Sequence, residues 1–274
     1  MHTKMLALAM GMTLCVTQNF AAELKELMPN PSDIQVVPMD PTPEPDDIEL
    51  RITFPSKGEI MTMSPVHVEM RLDWYPLGVD SDFTRQNEIF NYPDGQGIHV
   101  VIDDKPFFDI NEALFDALDD HNEYYDQTAE FDLPFNLSPG MHIIRAFPVR
   151  SFGESLKGGK CFISRVFYVK DKSNPIKIDL TDPLLTYNVP DGKYSASQPI
   201  LLDFYISNCV LSRDGYKVRL TIDGVDQRTL SDWVPYYIYG LKKGSHTIRL
   251  ELLDPQNAPA GGPYNDVTKT FSLY

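Results

Sequence analysis

The chain has 274 residues, of which 42% are hydrophobic, and its mean hydropathy is -0.26. This length allows one large domain or two of ordinary size, and the composition excludes a polytopic membrane protein. The formal net charge of -15 argues against nucleic acid and anionic lipid as partners, because an acidic surface repels phosphate. The 22 prolines, 14 tyrosines and 15 phenylalanines favour strands and turns over a helical bundle.

Residues 1–22 have the form of a secretory signal peptide. A weakly basic head precedes an uncharged apolar run over residues 5–16, and small residues ending at Ala22 offer a cleavage point. The segment is too short for a membrane span, so we expect a periplasmic, envelope or secreted protein with no integral span after processing. Two alternatives stay open: an ordinary buried segment, and a lipid anchor at Cys15, where Leu14 makes the lipobox weak.

Residues 23–47 are predicted to form a proline-rich, acidic linker. Proline removes backbone donors and favours an extended chain, and the like charges keep that chain stretched. The alternative is that residues 34–37, Ile-Gln-Val-Val, add an edge strand to the first domain.

From Ile48 onward the apolar residues recur with a period of two. Residues 66–74 alternate between apolar and polar side chains, and so do residues 98–103, with His99 among the polar positions. This pattern predicts strands with one buried and one solvated face. Two insertions interrupt the strands: residues 76–97 are predicted to be a loop, and helical spacing of apolar residues within 111–128 predicts a short helix.

The same order of sequence features occurs twice. Five blocks of the first half match the second half, namely 54–58 with 189–192, 64–72 with 198–206, 97–104 with 215–224, 137–147 with 241–251, and 161–169 with 265–273. We therefore predict a duplicated unit of about 100 residues. Two unrelated sheets with similar strand patterns are the alternative.

Each unit has about seven short strands separated by glycine and proline turns, which is typical of immunoglobulin-like sandwiches. We predict an all-β chain of two tandem Ig-like or fibronectin III-like antiparallel β-sandwiches. The first, at residues 48–171, carries the long insertions, and the second spans residues 176–274.

Two cysteines, Cys161 and Cys209, remain after the signal peptide. If the sandwiches pack end to end, these residues lie about 30 Å or more apart. A disulfide needs Cα atoms within about 7 Å. We therefore predict two free, buried thiols, unless the two units fold back side by side.

Residues 145–155 in the first unit and residues 182–194, 199–208, 236–244 and 249–254 in the second carry a resemblance to a family. They are similar to exported bacterial proteins with tandem Ig-like, fibronectin III-like halves. The resemblance covers residues 48–274 and implies the fold and export. It implies no activity, and it assigns no functional residue.

His142 and His246 occupy matching positions, each two residues after a turn glycine and three before an arginine. Together they could act as ligands or acid–base groups, but they lie in different units. A duplicated scaffold also duplicates its turns, so we predict that each histidine bonds a nearby turn. Arg249 alternates with Thr247 and Glu251, which predicts a solvated face.

The sequence contains no Gly-x-Ser-x-Gly, HExxH, P-loop or CxxC motif, so it predicts no catalytic residue, no cofactor and no metal ligand. Calcium binding is the alternative for an acidic group made of Asp116, Asp119, Asp120, Glu123 and Asp126, and for Asp80 with Asp82. Both groups lack the glycine bend and the ligand spacing of a calcium loop, which favours a solvated acidic surface.

Residues 233–239, Trp-Val-Pro-Tyr-Tyr-Ile-Tyr, contain the candidate ligand-binding residues. In a strand, Trp233, Tyr237 and Tyr239 share one face. If the opposite face is core, this face is an aromatic patch of the kind that binds a sugar or a peptide. The alternative is ordinary cross-strand packing of aromatic residues.

We therefore predict a non-enzymatic, exported protein that binds or spaces another protein at the bacterial envelope. Its expected partner is another envelope protein or a glycan. One alternative is carbohydrate binding through residues 233–239 or the long loops. Another is an enzyme of unrecognised type that uses the insertions within residues 76–128.

Overall fold

The computed structural model describes residues 34–112, 127–173, 175–176 and 178–274. Its elements are β1 (Gln35–Pro38), β2 (Glu49–Phe54), β3 (Ile60–Met61), β4 (His67–Asp73), a 3-10 helix (Thr84–Asn87), β5 (Gly97–Ile102), β6 (Phe108–Ile110), β7 (Gln127–Asp132), β8 (Gly140–Val149), β9 (Ile163–Val169), β10 (Leu184–Val189), β11 (Gly192–Tyr194), β12 (Ile200–Ser207), β13 (Lys217–Ile222), β14 (Asp226–Leu230), β15 (Tyr236–Tyr239), β16 (Gly244–Leu253) and β17 (Asp266–Leu273). The all-β fold class predicted from the sequence is confirmed.

The strands form four sheets in two matching pairs. The first pair, which we call the first sandwich, has the strand orders β2-β4-β7 and β3-β9-β8-β5-β6. The second sandwich has the orders β1-β15-β12-β10 and β11-β17-β16-β13-β14. Apart from β1, each strand of one sandwich has a counterpart in the other, and even the parallel pairing of β3 with β9 recurs as β11 with β17. This match supports the predicted duplication.

Each sandwich has its own apolar core between its two sheets. In the first, Val68, Met70 and Leu72 of β4 are fully buried, as their alternation predicts. In the second, the equivalent strand β12 buries Leu202, Phe204 and Ile206 in the same way. These side chains face inward at every second position because successive residues of a strand point to opposite faces.

The two sandwiches are stacked face to face. Every residue of β5, β10 and β15 except Tyr239 is buried, although a strand in a single sandwich buries one face alone. The second buried face is the junction, where Phe147 and Val149 of β8 pack against Tyr205 of β12. The end-to-end arrangement assumed for the cysteines is therefore wrong. Both thiols are free, as predicted, and each packs against a different core. Cys161 is buried as predicted, whereas Cys209 is only half-buried.

The N-terminal segment is bound to the folded body from residue 34 onward. Strand β1 pairs antiparallel with β15 of the second sandwich, so the residues predicted as an edge strand do form one, but on the other sandwich. The chain then crosses to the first sandwich, where Thr42 N and Oγ1 donate to the Glu154 carboxylate at 2.8 and 2.7 Å. The prediction of a linker is therefore wrong for residues 34–47, while residues 1–33 lie outside the described part of the chain.

The insertion at residues 76–97 is a loop with one short 3-10 helix, as predicted, but it is packed rather than free. Its Ile89 is buried in a cluster with Phe152 of the first sandwich and Leu201 and Tyr237 of the second. The loop therefore joins the two sandwiches. Residues 113–126 lie outside the described residues, and with them the predicted helix and the acidic group of Asp116, Asp119, Asp120, Glu123 and Asp126.

Candidate functional site

The two histidines of the repeated phrase build the same corner twice. In the first sandwich His142 Nδ1 lies 2.7 Å from Asp103 Oδ2, and its Nε2 lies 2.8 Å from the Ser138 carbonyl oxygen. In the second, His246 Nδ1 lies 2.8 Å from Asp223 Oδ2, and its Nε2 lies 2.6 Å from the Lys242 carbonyl oxygen. The predicted bond from each histidine to a nearby turn is confirmed.

Both aspartates of the corners sit in the left-handed region, with φ of 53° at Asp103 and 51° at Asp223. Burial disfavours the charged form of His142, but the bonds to Asp103 and Ser138 outweigh it and raise the pKa. The pKa of His246 is raised by the same balance. Two matched, fully bonded histidines at separate corners have no free nitrogen for a ligand.

The candidate aromatic residues lie mostly inside the junction. Tyr237 is buried, and its hydroxyl lies 3.0 Å from Glu88 Oε2 of the insertion. Trp233 is half-buried; its indole Nε1 donates to the Phe204 carbonyl oxygen at 3.0 Å, and its ring meets Tyr205 edge-on. Tyr239, at 39% exposure, is the exposed member of the three. Tyr237 and Tyr239 contact each other edge-on, whereas Trp233 precedes β15 and packs against β12, so the three residues do not form an open aromatic strip.

A buried polar network crosses the junction. The carboxylate of Asp203 is completely buried and accepts hydrogen bonds from Lys157 Nζ at 2.6 Å, Asn188 Nδ2 at 2.7 Å and Ser155 N at 3.2 Å. Asn188 Oδ1 in turn lies 2.6 Å from His99 Nδ1. The network thus connects two residues of the second sandwich to three of the first, and each of its members has a partner.

His99 was expected on a solvated face, and this expectation is wrong. The side chain is 1% exposed and stacks on Phe107 with a centroid distance of 3.7 Å. Burial lowers the pKa of His99 to about 4, and the hydrogen bond to Asn188 opposes this shift only in part. His99 is therefore neutral in the folded protein near pH 7, and its Nδ1 donates to the Asn188 oxygen.

Arg145 also points into the junction. Its Nη1 donates to the Leu185 carbonyl oxygen at 3.3 Å and to Thr186 Oγ1 at 3.1 Å, its Nη2 donates to the Asp103 carbonyl oxygen, and its guanidinium lies 4.3 Å from the ring centroid of Tyr264. Burial lowers the pKa of Arg145 to about 10. The group stays protonated near neutral pH.

A small cleft opens beside Arg145, between the two sandwiches. Its volume is about 50 Å³, and its walls include Arg145, Phe107, Asp191, Tyr264 and Lys269. Two buried polar atoms of these walls, Arg145 Nε and Tyr264 Oη, have no hydrogen-bond partner in the described residues. The cleft is the place where the chain brings together charged groups of both sandwiches.

The outer faces of the stack differ from the junction. On β16, Arg249 Nε and Nη2 each donate to an Asp266 carboxylate oxygen at 2.7 Å. The predicted solvated face is confirmed for Arg249, but it is wrong for Glu251, which is 7% exposed. On β2 and β4, Arg51 pairs with Asp73. Asp80 accepts a hydrogen bond from Asn91 Nδ2 at 3.0 Å, which ties this acidic residue to its own loop.

The described residues contain no group of three or more His, Cys, Asp or Glu side chains placed to hold a metal ion. No helix in these ranges has the length and apolar character that a membrane span requires.

The sequence did not reveal Arg145, His99 or Asp203 as members of one region. The signal that could have found them is the difference between the repeats. Phe147 and Phe162 stand where the second copy has Glu251 and Asp266, so one copy is apolar on a face that is charged in the other. An apolar face of this kind indicates that another layer covers it.

No protein-family model matches the chain, and no curated protein is similar to it. Solved structures with a similar arrangement include the fibronectin(III)-like modules of Clostridium thermocellum CbhA, with 12% identity, 82% of this chain and 93% of that chain covered, and a TM-score of 0.27. Dimeric latent PorU from Porphyromonas gingivalis has 14% identity, 92% and 21% coverage, and a TM-score of 0.27. The Bacteroides ovatus glucan-utilization protein SGBP-B, in complex with a mixed-linkage heptasaccharide, has 10% identity, 81% and 45% coverage, and a TM-score of 0.23. At these TM-scores no functional conclusion follows from the likeness.

Proposed function

We propose that the chain is an exported, non-enzymatic protein of the bacterial envelope that presents two Ig-like sandwiches, at residues 48–171 and 176–274, as one rigid binding or spacer body for a protein partner. The observation that carries this proposal is the locked face-to-face stack. Flexible tandem domains usually touch through small polar surfaces. Here the junction contains apolar clusters and a fully bonded polar network.

Three separate parts of the chain hold the stack together, which favours a body of fixed shape. The polar network around Asp203 is the first, and the insertion at residues 76–97 is the second. The third is the N-terminal segment, in which β1 belongs to the second sandwich and Thr42 is bonded to Glu154 of the first. A spacer or a composite binding surface needs this kind of rigidity, because a partner that touches both sandwiches loses less entropy on binding.

A sheet edge supports a protein as the partner. Within the described residues, β7 pairs with β4 alone and directly follows the acidic insertion. Edge strands with free backbone groups are the surfaces to which an extended segment of another protein adds by main-chain hydrogen bonds.

Affinity capture from the native envelope tests this function, with the mature chain from Glu23 as bait. A captured protein is then purified and titrated against the wild-type chain, Asp203→Lys and Asp214→Lys. Asp214 is exposed in the loop between β12 and β13 of the second sandwich, away from β7 and from the junction network. We expect saturable binding that weakens at least about tenfold in Asp203→Lys and stays within about twofold in Asp214→Lys. Equal binding by all three proteins would contradict a fixed two-sandwich surface.

Carbohydrate binding is the second candidate, because Tyr239 keeps an exposed ring and Trp74 is 46% exposed. Tyr237 is buried and Trp233 is half-buried, so Tyr239 is the accessible ring within residues 233–239. Failure to capture any protein, together with glycan-array binding that disappears in Tyr239→Ala, would replace the first proposal with this one.

A further inference from the structure

Arg145 is a buried cation with uncharged partners. Arg145 is 3% exposed, and its guanidinium donates to two carbonyl oxygens and to the hydroxyl of Thr186. The carboxylate of Asp103 is already bonded to His142 and to the Ile143 amide. No carboxylate within the described residues forms an ion pair with Arg145. The carboxylates of Asp103 and Asp104 act on Arg145 through space but do not bond to its guanidinium. A buried cation without a bonded carboxylate is unfavourable, so this position needs a physical reason.

The other copy of the repeat shows what this arginine position binds. Arg249, the counterpart of Arg145, holds both oxygens of the Asp266 carboxylate at 2.7 Å and lies 3.3 Å from Glu251. Such two-point bonding is the preferred geometry between a guanidinium and a carboxylate. The first copy has Phe162 and Phe147 at the two acidic positions. The first copy therefore has the arginine but neither of the two carboxylates.

The cleft beside Arg145 has room for a carboxylate group. Its volume of about 50 Å³ exceeds the roughly 30 Å³ that one water molecule occupies in the liquid. The cleft is also partly open to solvent, so the rest of a ligand can extend out of it.

The other walls supply further donors and set the charge of the ligand. Tyr264 Oη is buried without a hydrogen-bond partner in the described residues, and the half-buried Lys269 Nζ donates to the Asp104 carbonyl oxygen at 3.0 Å. Asp191 contributes a carboxyl group to the same cleft. The full lining has three cations, Arg145, Lys105 and Lys269, and three carboxylates, Asp104, Asp191 and Asp266. Because Arg249 already holds the Asp266 carboxylate, one positive charge is left in excess, which suits a ligand with a single negative charge.

We propose that the cleft between the two sandwiches binds a monocarboxylate through its carboxylate group, with Arg145 as its main anchor. The ligand supplies the carboxylate that Asp266 supplies to Arg249 in the second copy. Because both sandwiches line the cleft, bound ligand stabilises the stacked arrangement over any opened one. This inference stands apart from the proposed protein partner and does not depend on it.

The test is a titration of the mature chain from Glu23 with sodium acetate at constant ionic strength, followed by ¹⁵N NMR of the backbone and guanidinium groups and by thermal unfolding. Acetamide is the neutral probe of the same shape, and sodium chloride controls for ionic effects. We expect saturable shifts around Arg145 and a rise in Tm with acetate alone.

Two variants decide the role of Arg145. Arg145→Met is expected to weaken acetate binding at least about tenfold, because charge-assisted bonds to the anion are lost. Arg51→Met, the same change at an ion pair on β2 and β4 that does not line the cleft, is expected to leave the affinity unchanged. A similar loss in both variants would contradict the proposal.

Ser164→Asp keeps the test decisive if Arg145→Met does not fold. Ser164 is the direct cross-strand neighbour of Arg145 between β9 and β8, so its replacement supplies an internal carboxylate. We expect this variant to lose acetate binding while its Tm is equal to or above that of the wild type without acetate. Unchanged acetate binding in Ser164→Asp, or equal responses to acetate and acetamide, would overturn the proposal.

Discussion

Replacing Asp203 with alanine tests whether the buried network holds the two sandwiches together. The Asp203 carboxylate is fully buried and bonded to Lys157, Asn188 and the Ser155 amide. Alanine leaves the Lys157 ammonium without a counter-charge at a position where its side chain is 11% exposed. The charge then has to be moved toward water or stay unpaired at the junction.

The expected cost follows from this burial. Removing one partner of a buried ion pair lowers the free energy of unfolding by about 3–5 kcal/mol. The matched control is Glu69→Ala on the outer face, where Glu69 lies 3.7 Å from His67 and both side chains are partly exposed. Exposed pairs contribute about 0–1 kcal/mol, so the two variants should differ by at least about 2 kcal/mol.

Urea unfolding followed by tryptophan fluorescence and circular dichroism measures both variants. We expect a single transition in the wild type and a large loss of stability, or two separated transitions, in Asp203→Ala. A loss below about 1 kcal/mol in Asp203→Ala, with unfolding like that of Glu69→Ala, would mean that the buried network does not hold the two sandwiches together.

Three other changes probe the junction and the corners. Burial lowers the pKa of His99 from 6.5 to about 4, so its contribution to the free energy of unfolding is complete above pH 6.5 and is lost as the pH falls. In urea titrations between pH 6.5 and 4, the wild type should lose about 3 kcal/mol more stability than His99→Gln. The same dependence of stability on pH in both proteins would argue against a buried histidine. His142→Ala should lower the free energy of unfolding by about 1–3 kcal/mol, because the Asp103 carboxylate and a turn carbonyl lose their partner; thermal unfolding that matches the wild type would show that the corner is not stabilising. A chain beginning at Met39 lacks β1, so amide hydrogen exchange should speed up in β15, its neighbour; unchanged protection there would mean that β1 is not bound in solution.

The sequence predicts what lies within each sandwich because the necessary contacts are local or repeated. The alternation around Val68, Met70 and Leu72 identifies one core face, since period two is a property of the strand itself. The repeated glycine, histidine and arginine identify two equal corners, and the bonds of His142 and His246 follow from that equality.

The sequence does not predict what covers a sheet from outside. His99 is a polar residue between the apolar residues Ile98 and Val100, so the alternation predicts that its side chain faces solvent. Its hydrogen-bond partner, Asn188, is 89 residues away in the sequence. Arg145 and Arg249 have the same local context, yet one lies in a buried junction and the other in an exposed ion pair. The difference comes from stacking the sandwiches, a long-range event that strand periodicity does not encode.

Contacts between distant parts of the chain also explain why the structure of the N-terminal segment is not predicted by the sequence. Residues 23–47 have the proline-rich, acidic composition of a linker, and composition reports only local stiffness and charge. The edge of β15 and the Glu154 carboxylate, which bind this segment, are distant in sequence. A short apolar stretch such as residues 34–37 becomes a strand because a free edge lies within its reach.

The most direct test of the account is the radius of gyration of the mature chain from Glu23, measured by small-angle X-ray scattering on monodisperse protein. A face-to-face stack is one compact body, for which about 18 Å is expected at this length. An end-to-end pair, with two halves of about 13 Å each and centres about 40 Å apart, would give about 24 Å. A value near 18 Å that does not change with salt agrees with the locked stack, and a value near 24 Å would contradict it.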